Sequence, residues 1–196
     1  MGAVDIILNY FSRSSIVSIV VLGWLSLYFI LSFSILLSRM SGLSLWYKAE
    51  RDSLESLVRG SIRPSIGSSL SKCANSGENI NEKKLRICLL MAQKRATSGL
   101  AWLSVIASTS PFIGLFGTVV SILETFAGLG NGANSSLSVI APAISEALVA
   151  TAAGILVAIP AYSFNILLKR RSYELVSVIE QQVDLLSVRG KSELDA

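Results

Sequence analysis

The chain has 196 residues, 52% of them apolar and only 15% charged, with a net charge of +4. Soluble domains carry about 25% charged residues, so an ordinary soluble enzyme is excluded and an integral membrane protein is expected. Two cysteines without C-x-x-C spacing and the absence of histidine exclude a zinc site of the usual kind.

In chain order, residues 1–13 form a short arm. Residues 14–38, "SSIVSIVVLGWLSLYFILSFSILLS", run without a charge until Arg39. A helix needs ~20 residues to cross a ~30 Å hydrocarbon layer, and the apolar core of a cleaved signal peptide is only ~7–15 residues. Residues 14–38 therefore predict a retained first span. Residues 39–102 predict a helical region outside the bilayer. In it, Leu43, Trp46, Leu54, Leu57 and Val58 give an apolar stripe to a helix that continues span one, and Gly60 with Arg63-Pro64 ends that helix. The Ser- and Gly-rich residues 64–79 read as loop. Helical spacing resumes over 80–100 with Ile80, Leu85, Cys88, Leu89, Met91 and Ala92.

A second span is expected over 103–127, a turn over 128–137 and a third span over 138–165, with Pro142 at its start, where proline costs little. The tail, 166–196, places Leu168, Ser172, Leu175, Ile179, Val183 and Leu186 at steps of three and four, a coiled-coil-like seam. These elements make an all-α membrane protein with three transmembrane helices and long helical extensions.

Basic residues near span ends set orientation. Residues 39–102 hold 11 of the 17 Lys and Arg, the tail holds five (Lys169, Arg170, Arg171, Arg189 and Lys191), and the turn after span two holds none. The expected topology is N-terminus out and C-terminus in. That asymmetry accounts for the positive charge, so no nucleic-acid partner is expected. Cys73 and Cys88 then face a reducing compartment, where ordinary thiols are the default.

Inside the spans, small and weakly polar residues line up. Ser104, Ser108, Pro111, Gly114, Thr118, Ser121 and Thr125 fall on one stripe of span two, opposite Phe112, Phe116, Val119, Ile122 and Leu123. Ala143, Ala147, Thr151, Gly154, Ala158, Ala161 and Asn165 do the same on span three. Gly117 adds to the small residues of span two. Such stripes either let backbones approach closely or line a wet cavity. Glu146, at the border of the span-three stripe, bears on the choice: a mid-membrane acid costs at least ~2.5–3.5 kcal/mol and such acids usually face an interior. Glu124, near the end of span two, lies at headgroup depth and is cheap. Pro111 and Pro160 each remove a backbone hydrogen bond and serve as kinks or hinges. There is no phosphate-binding loop, zinc-protease motif or nucleophile elbow. No enzyme activity, catalytic residue, cofactor or metal is expected.

The stretches "SPFIGLFGTVVSI" (110–122) and "APAISEALVATAAGILVAIPA" (141–161) resemble the ExbB/TolQ family of inner-membrane proton-channel proteins, relatives of MotA. The short N-terminal arm looks more like TolQ than ExbB. The resemblance implies a homopentamer around a central pore in a bacterial inner membrane, with a dimer of an ExbD/TolR-type single-span protein in that pore and a TonB- or TolA-type energy transducer as a further partner. It implies that Thr118 and Thr151 are pore threonines and that Glu146 is the family's span-three glutamate. Ser121 and Thr125 extend the pore-lining set, while Pro111, Gly114, Gly117, Ala147, Gly154 and Pro160 serve packing and hinging. A non-conducting oligomeric scaffold is the alternative. A solute transporter is disfavoured, because nothing resembles an inverted repeat or a broken-helix site.

Overall fold

The computed structural model describes residues 16–61, 63–71, 82–130 and 137–194. Four helices occupy them: α1 (Ile16–Val58), α2 (Glu82–Thr97), α3 (Leu100–Gly130) and α4 (Leu137–Leu194). Three helical stretches, carried by α1, α3 and α4, are long and apolar enough to cross a membrane. The N-terminal arm, Cys73, Ile80 and the centre of the expected turn after span two lie outside the described residues.

As the sequence predicts, the helix after span one continues it, in a single 43-residue helix. It ends where expected, in a glycine cap: the amide of Gly60 donates to Leu57 O at 3.1 Å and that of Ser61 to Ser56 O at 3.1 Å. Gly60 has φ 109°, a backbone conformation that a Cβ disfavours. Residues 80–100 do not run straight into span two, because Gly99, at φ 84°, separates α2 from α3. α3 extends to Gly130, into the expected turn. α4 is one helix of 58 residues containing both Pro142 and Pro160, so Pro142 lies inside α4 and not at its start. A proline that early removes a single intrahelical bond, and the helix carries on around it.

The chain divides into two compact units, one holding Trp102–Phe164 with the first helix up to Ser34, the other holding Ile35–Ala101 with the chain from Asn165. The first unit packs α1, α3 and α4 around Val21, Leu25, Ile106, Ala150, Val157 and Ala161. Small residues dominate the α4 side of this core, so the backbones come close. Phe33 and Phe164 meet edge-on, with ring centres 5.1 Å apart.

The second unit packs the later turns of α1 against α2 and the tail of α4. Every residue of the tail seam is buried: Leu168, Ser172, Leu175, Ile179, Val183 and Leu186. Leu57, Leu70 and Leu85 complete this core, each fully buried leucine contributing roughly 1.5–3 kcal/mol. Val58 and Met91, expected on apolar faces, are each 67% exposed. Each stands about 100° around its helix from a buried neighbour, Leu57 or Ala92, and one of the two must face out. Cys88, expected as an ordinary thiol, is disulfide-bonded; bridging depends on proximity in the fold, which the spacing of the cysteines did not reveal.

Two arginines close helix ends in the second unit. Arg39 Nη2 donates to the carbonyls of Arg95 and Ala96 at 2.8 and 3.0 Å, at the end of α2. Arg189 donates to Leu57 O and Ser61 O, at the end of α1. A cation is favoured there by the exposed carbonyls and the helix dipole.

Candidate functional site

In the first unit the small residues of α3 from Ser110 onward face those of α4, whereas Ser104 and Ser108, expected on the same stripe, are exposed, because the buried face of α3 runs through Leu103, Ile106 and Ser110. A Cβ added to Gly114 would stand 2.6 Å from Ala150 O, and one added to Gly154 would stand 2.6 Å from Ser110 O. Only hydrogen fits at either position. Gly117 sits where the three helices meet, since its Cβ would lie 3.0 Å from Val21 on α1 and 3.2 Å from Ala150 on α4. Ser110 is buried, its hydroxyl turned back onto Ile106 O of its own helix, and Pro111 beside it is half-buried.

This close approach places two hydroxyls in contact. Thr118 and Thr151 Oγ1 atoms are 2.5 Å apart. Thr118 also reaches Ala147 O at 3.0 Å and Gly114 O at 3.2 Å. Thr151 lies 3.4 Å from Gly114 O. Thr118 is only 8% exposed and Thr151 is half-buried. Each hydroxyl has one proton to give and two lone pairs to receive. Gly114 O is within reach of both hydroxyls and Ala147 O of Thr118 alone, so whichever threonine donates to the other, the remaining proton meets a carbonyl.

Ala147 is fully buried, and Glu146, the next residue back along α4, is half-buried at the edge of the same face. Ser121 does not join the threonines. It turns to α1, where its hydroxyl meets that of Ser18 at 2.9 Å in a buried contact. Thr125 bonds Ser121 O within its own helix. Pro160 is half-buried further along α4, and Glu124 is exposed on α3. Phe112, Phe116, Val119 and Leu123, expected opposite the small stripe, are all exposed.

The sequence reading missed Ser18 and, in the second unit, Glu50. Glu50 is fully buried, with neutral donors on both carboxylate oxygens. Trp46 Nε1 and the Ser69 amide reach Oε1 at 3.0 and 2.6 Å; Ser68 Oγ and Gln182 Nε2 reach Oε2 at 2.8 and 2.9 Å. Gln182 also donates to Glu50 O and accepts from Ser53. Burial by itself pushes this carboxyl up, but the hydrogen bonds from Ser69, Ser68 and Gln182 outweigh it and hold Glu50 below the ordinary carboxylate value. The available signal was spacing: Leu43, Trp46, Glu50, Ser53 and Leu57 share one face of α1.

Residues 57–181 match the model of the MotA/TolQ/ExbB proton channel family. The chain is 43% identical over 184 residues to a Helicobacter pylori protein named putative biopolymer transport protein ExbB-like 1, covering 93% of this chain and 97% of that one. It is 40% identical over 79 residues to the Tol-Pal system protein TolQ of Pseudomonas aeruginosa, 40% of this chain and 34% of the relative. It is 41% identical over 95 residues to the biopolymer transport protein ExbB of Pseudomonas putida, 47% of this chain and 29% of the relative. With the family match spanning the paired threonines and both glycines of the crossing, the chain belongs to the MotA/TolQ/ExbB proton channel family.

Proposed function

We propose that this chain is the channel subunit of a motor driven by the proton-motive force in a bacterial inner membrane. Five copies surround a pore with α3 and α4, the N-terminus outside and the tail in the cytoplasm. A dimer of an ExbD/TolR-type single-span protein occupies the pore, and a TonB- or TolA-type transducer carries the work to the outer membrane. Similarity along nearly the whole length of a protein named ExbB-like supports the biopolymer-transport branch.

The observation that carries this reading is the Thr118–Thr151 pair, seated on Ala147 O and Gly114 O. Thr118, Thr151 and Glu146 form the proton path, with Thr125 further along α3; Ser121 turns from it to Ser18 on α1. Pro111, Gly114, Gly117, Ala147, Gly154 and Pro160 keep the two helices close and let them shift. One proton crossing 100 mV releases ~2.3 kcal/mol, comparable to the cost of displacing a few packed side chains.

The test is dissipation of an imposed pH gradient in proteoliposomes that hold this chain with an ExbD/TolR-type partner. Thr151→Val and Glu146→Ala should each abolish the flux while the oligomer persists on size exclusion. Full flux in both variants would refute the proton path.

One observation favours the second reading, a non-conducting scaffold. The backbones at Gly114 and Gly154 meet within one chain, so packing alone makes use of the small stripes. A scaffold predicts that Thr151→Val is silent and that Gly154→Leu alone abolishes assembly.

A further inference from the structure

The second unit contains an open cleft of ≈ 720 Å³ between the turns of α1 after Leu37, the segment 67–69 and α2. Arg39 and Arg95 line it, with Ser38, Trp46, Leu45 and Met91. No Asp or Glu is among its described lining residues. Neither arginine is in an ion pair among the described residues. Arg39 uses Nη2 on the α2 carbonyls, and its Nη1 makes no hydrogen bond among the described residues. Arg95 lies over the Trp46 ring, 5.0 Å from its centre, which leaves its fork of donors uncommitted. The Glu50 carboxylate behind Trp46 and Ser69 is not a competitor, because its own donors already satisfy it.

We infer that this cleft binds a phosphate-bearing anion that has an apolar portion. Two guanidinium groups with free donors, and no Asp or Glu among the described lining residues, match a phosphate's charge and its acceptor oxygens. Leu45 and Met91, 72% and 67% exposed, offer apolar surface beside them. Arg39 is the first charge after the uncharged run 14–38, the depth at which anionic lipid headgroups meet basic side chains. A phospholipid headgroup and a soluble phosphate ester share this chemistry. The inference is independent of the proton path and holds or fails without it.

Two arms of one experiment separate the sources, using the full chain purified in detergent. Native mass spectrometry counts phosphatidylglycerol retained per chain; calorimetry follows glycerol 1-phosphate added to delipidated protein. Arg39→Gln also loosens the end of α2, so two other variants carry the test. Arg95→Gln should lower occupancy about five-fold, the loss of one basic contact at a charged surface. Gly42→Leu should fill the cleft, since a Cβ there meets nothing within 4 Å. Arg59→Gln, outside the cleft, is the control.

Retention of phosphatidylglycerol that both variants reduce establishes the lipid as occupant. Binding of glycerol 1-phosphate with the same variant pattern and no retained lipid establishes a soluble ester. Absence of binding in both arms, or equal binding by wild type, Arg95→Gln and Gly42→Leu, overturns the inference.

Discussion

Gly114 and Gly154 meet backbone to backbone across the α3–α4 crossing, Gly114 Cα lying 3.1 Å from where a Cβ on Gly154 would stand. Everything at the candidate site depends on that approach. With a methyl group at either glycine the helices separate and the Thr118–Thr151 contact is lost.

Gly154→Ala should therefore cost about 1–3 kcal/mol, the range for forcing a methyl into a packed core. Thermal unfolding in detergent measures it. Gly117→Ala should cost less, because its nearest neighbours are side-chain atoms of Val21 and Ala150 and not backbone, and Val21→Ala should recover part of the loss. Gly23→Ala, with nothing within 4 Å, should be neutral or stabilising through helix propensity.

Thr118→Val keeps the shape of the threonine and removes the hydroxyl. A hydrogen bond between membrane helices averages about 0.6 kcal/mol and reaches about 1.7, so stability should fall by no more than that. Flux through the reconstituted complex should vanish, and Thr118→Ser should restore it. A stability loss without any loss of flux would assign the pair to packing.

Ser18 and Ser121 are joined by one buried hydrogen bond between α1 and α3. Ser18→Ala and Ser121→Ala should each cost about 0.6 kcal/mol. The double variant should cost little more than either alone, as residues that share one interaction do. Additive losses would show that the two serines act separately.

Glu50 supplies a pH dependence. Its folded value lies below the ordinary 4.5, so its stabilisation is complete above that pH and is lost as pH falls through the lower folded value. Glu50→Gln places an amide N–H₂ among groups that already donate. It should destabilise the protein at neutral pH by about 1.5–3 kcal/mol, the scale of hydrogen bonds to a charged group. The difference in melting temperature between wild type and variant should shrink as pH drops below 4.5. A difference that stays constant across that range would remove the charge from the explanation.

Parts of this architecture were legible in the sequence because they depend on one helix at a time. The uncharged run 14–38 sets how much helix a bilayer can cover. The three-and-four spacing from Leu168 to Leu186 names the buried seam of the tail. From Ser110 onward the faces of span two, phenylalanines on one side and small residues on the other, follow from angles around its own axis.

What those angles meet was decided by tertiary structure alone. A helical wheel placed Ser121 and Thr118 on one stripe, yet Ser121 bonds α1 and Thr118 bonds α4. The sequence reading passed over Glu50, on which α1, the segment around Ser68 and α4 converge. The partners lie 33, 103 and 132 residues away in the chain for Thr118–Thr151, Ser18–Ser121 and Glu50–Gln182. Local periodicity fixes which way a side chain points from its own helix; only the packed backbone determines which donor, acceptor or glycine stands opposite.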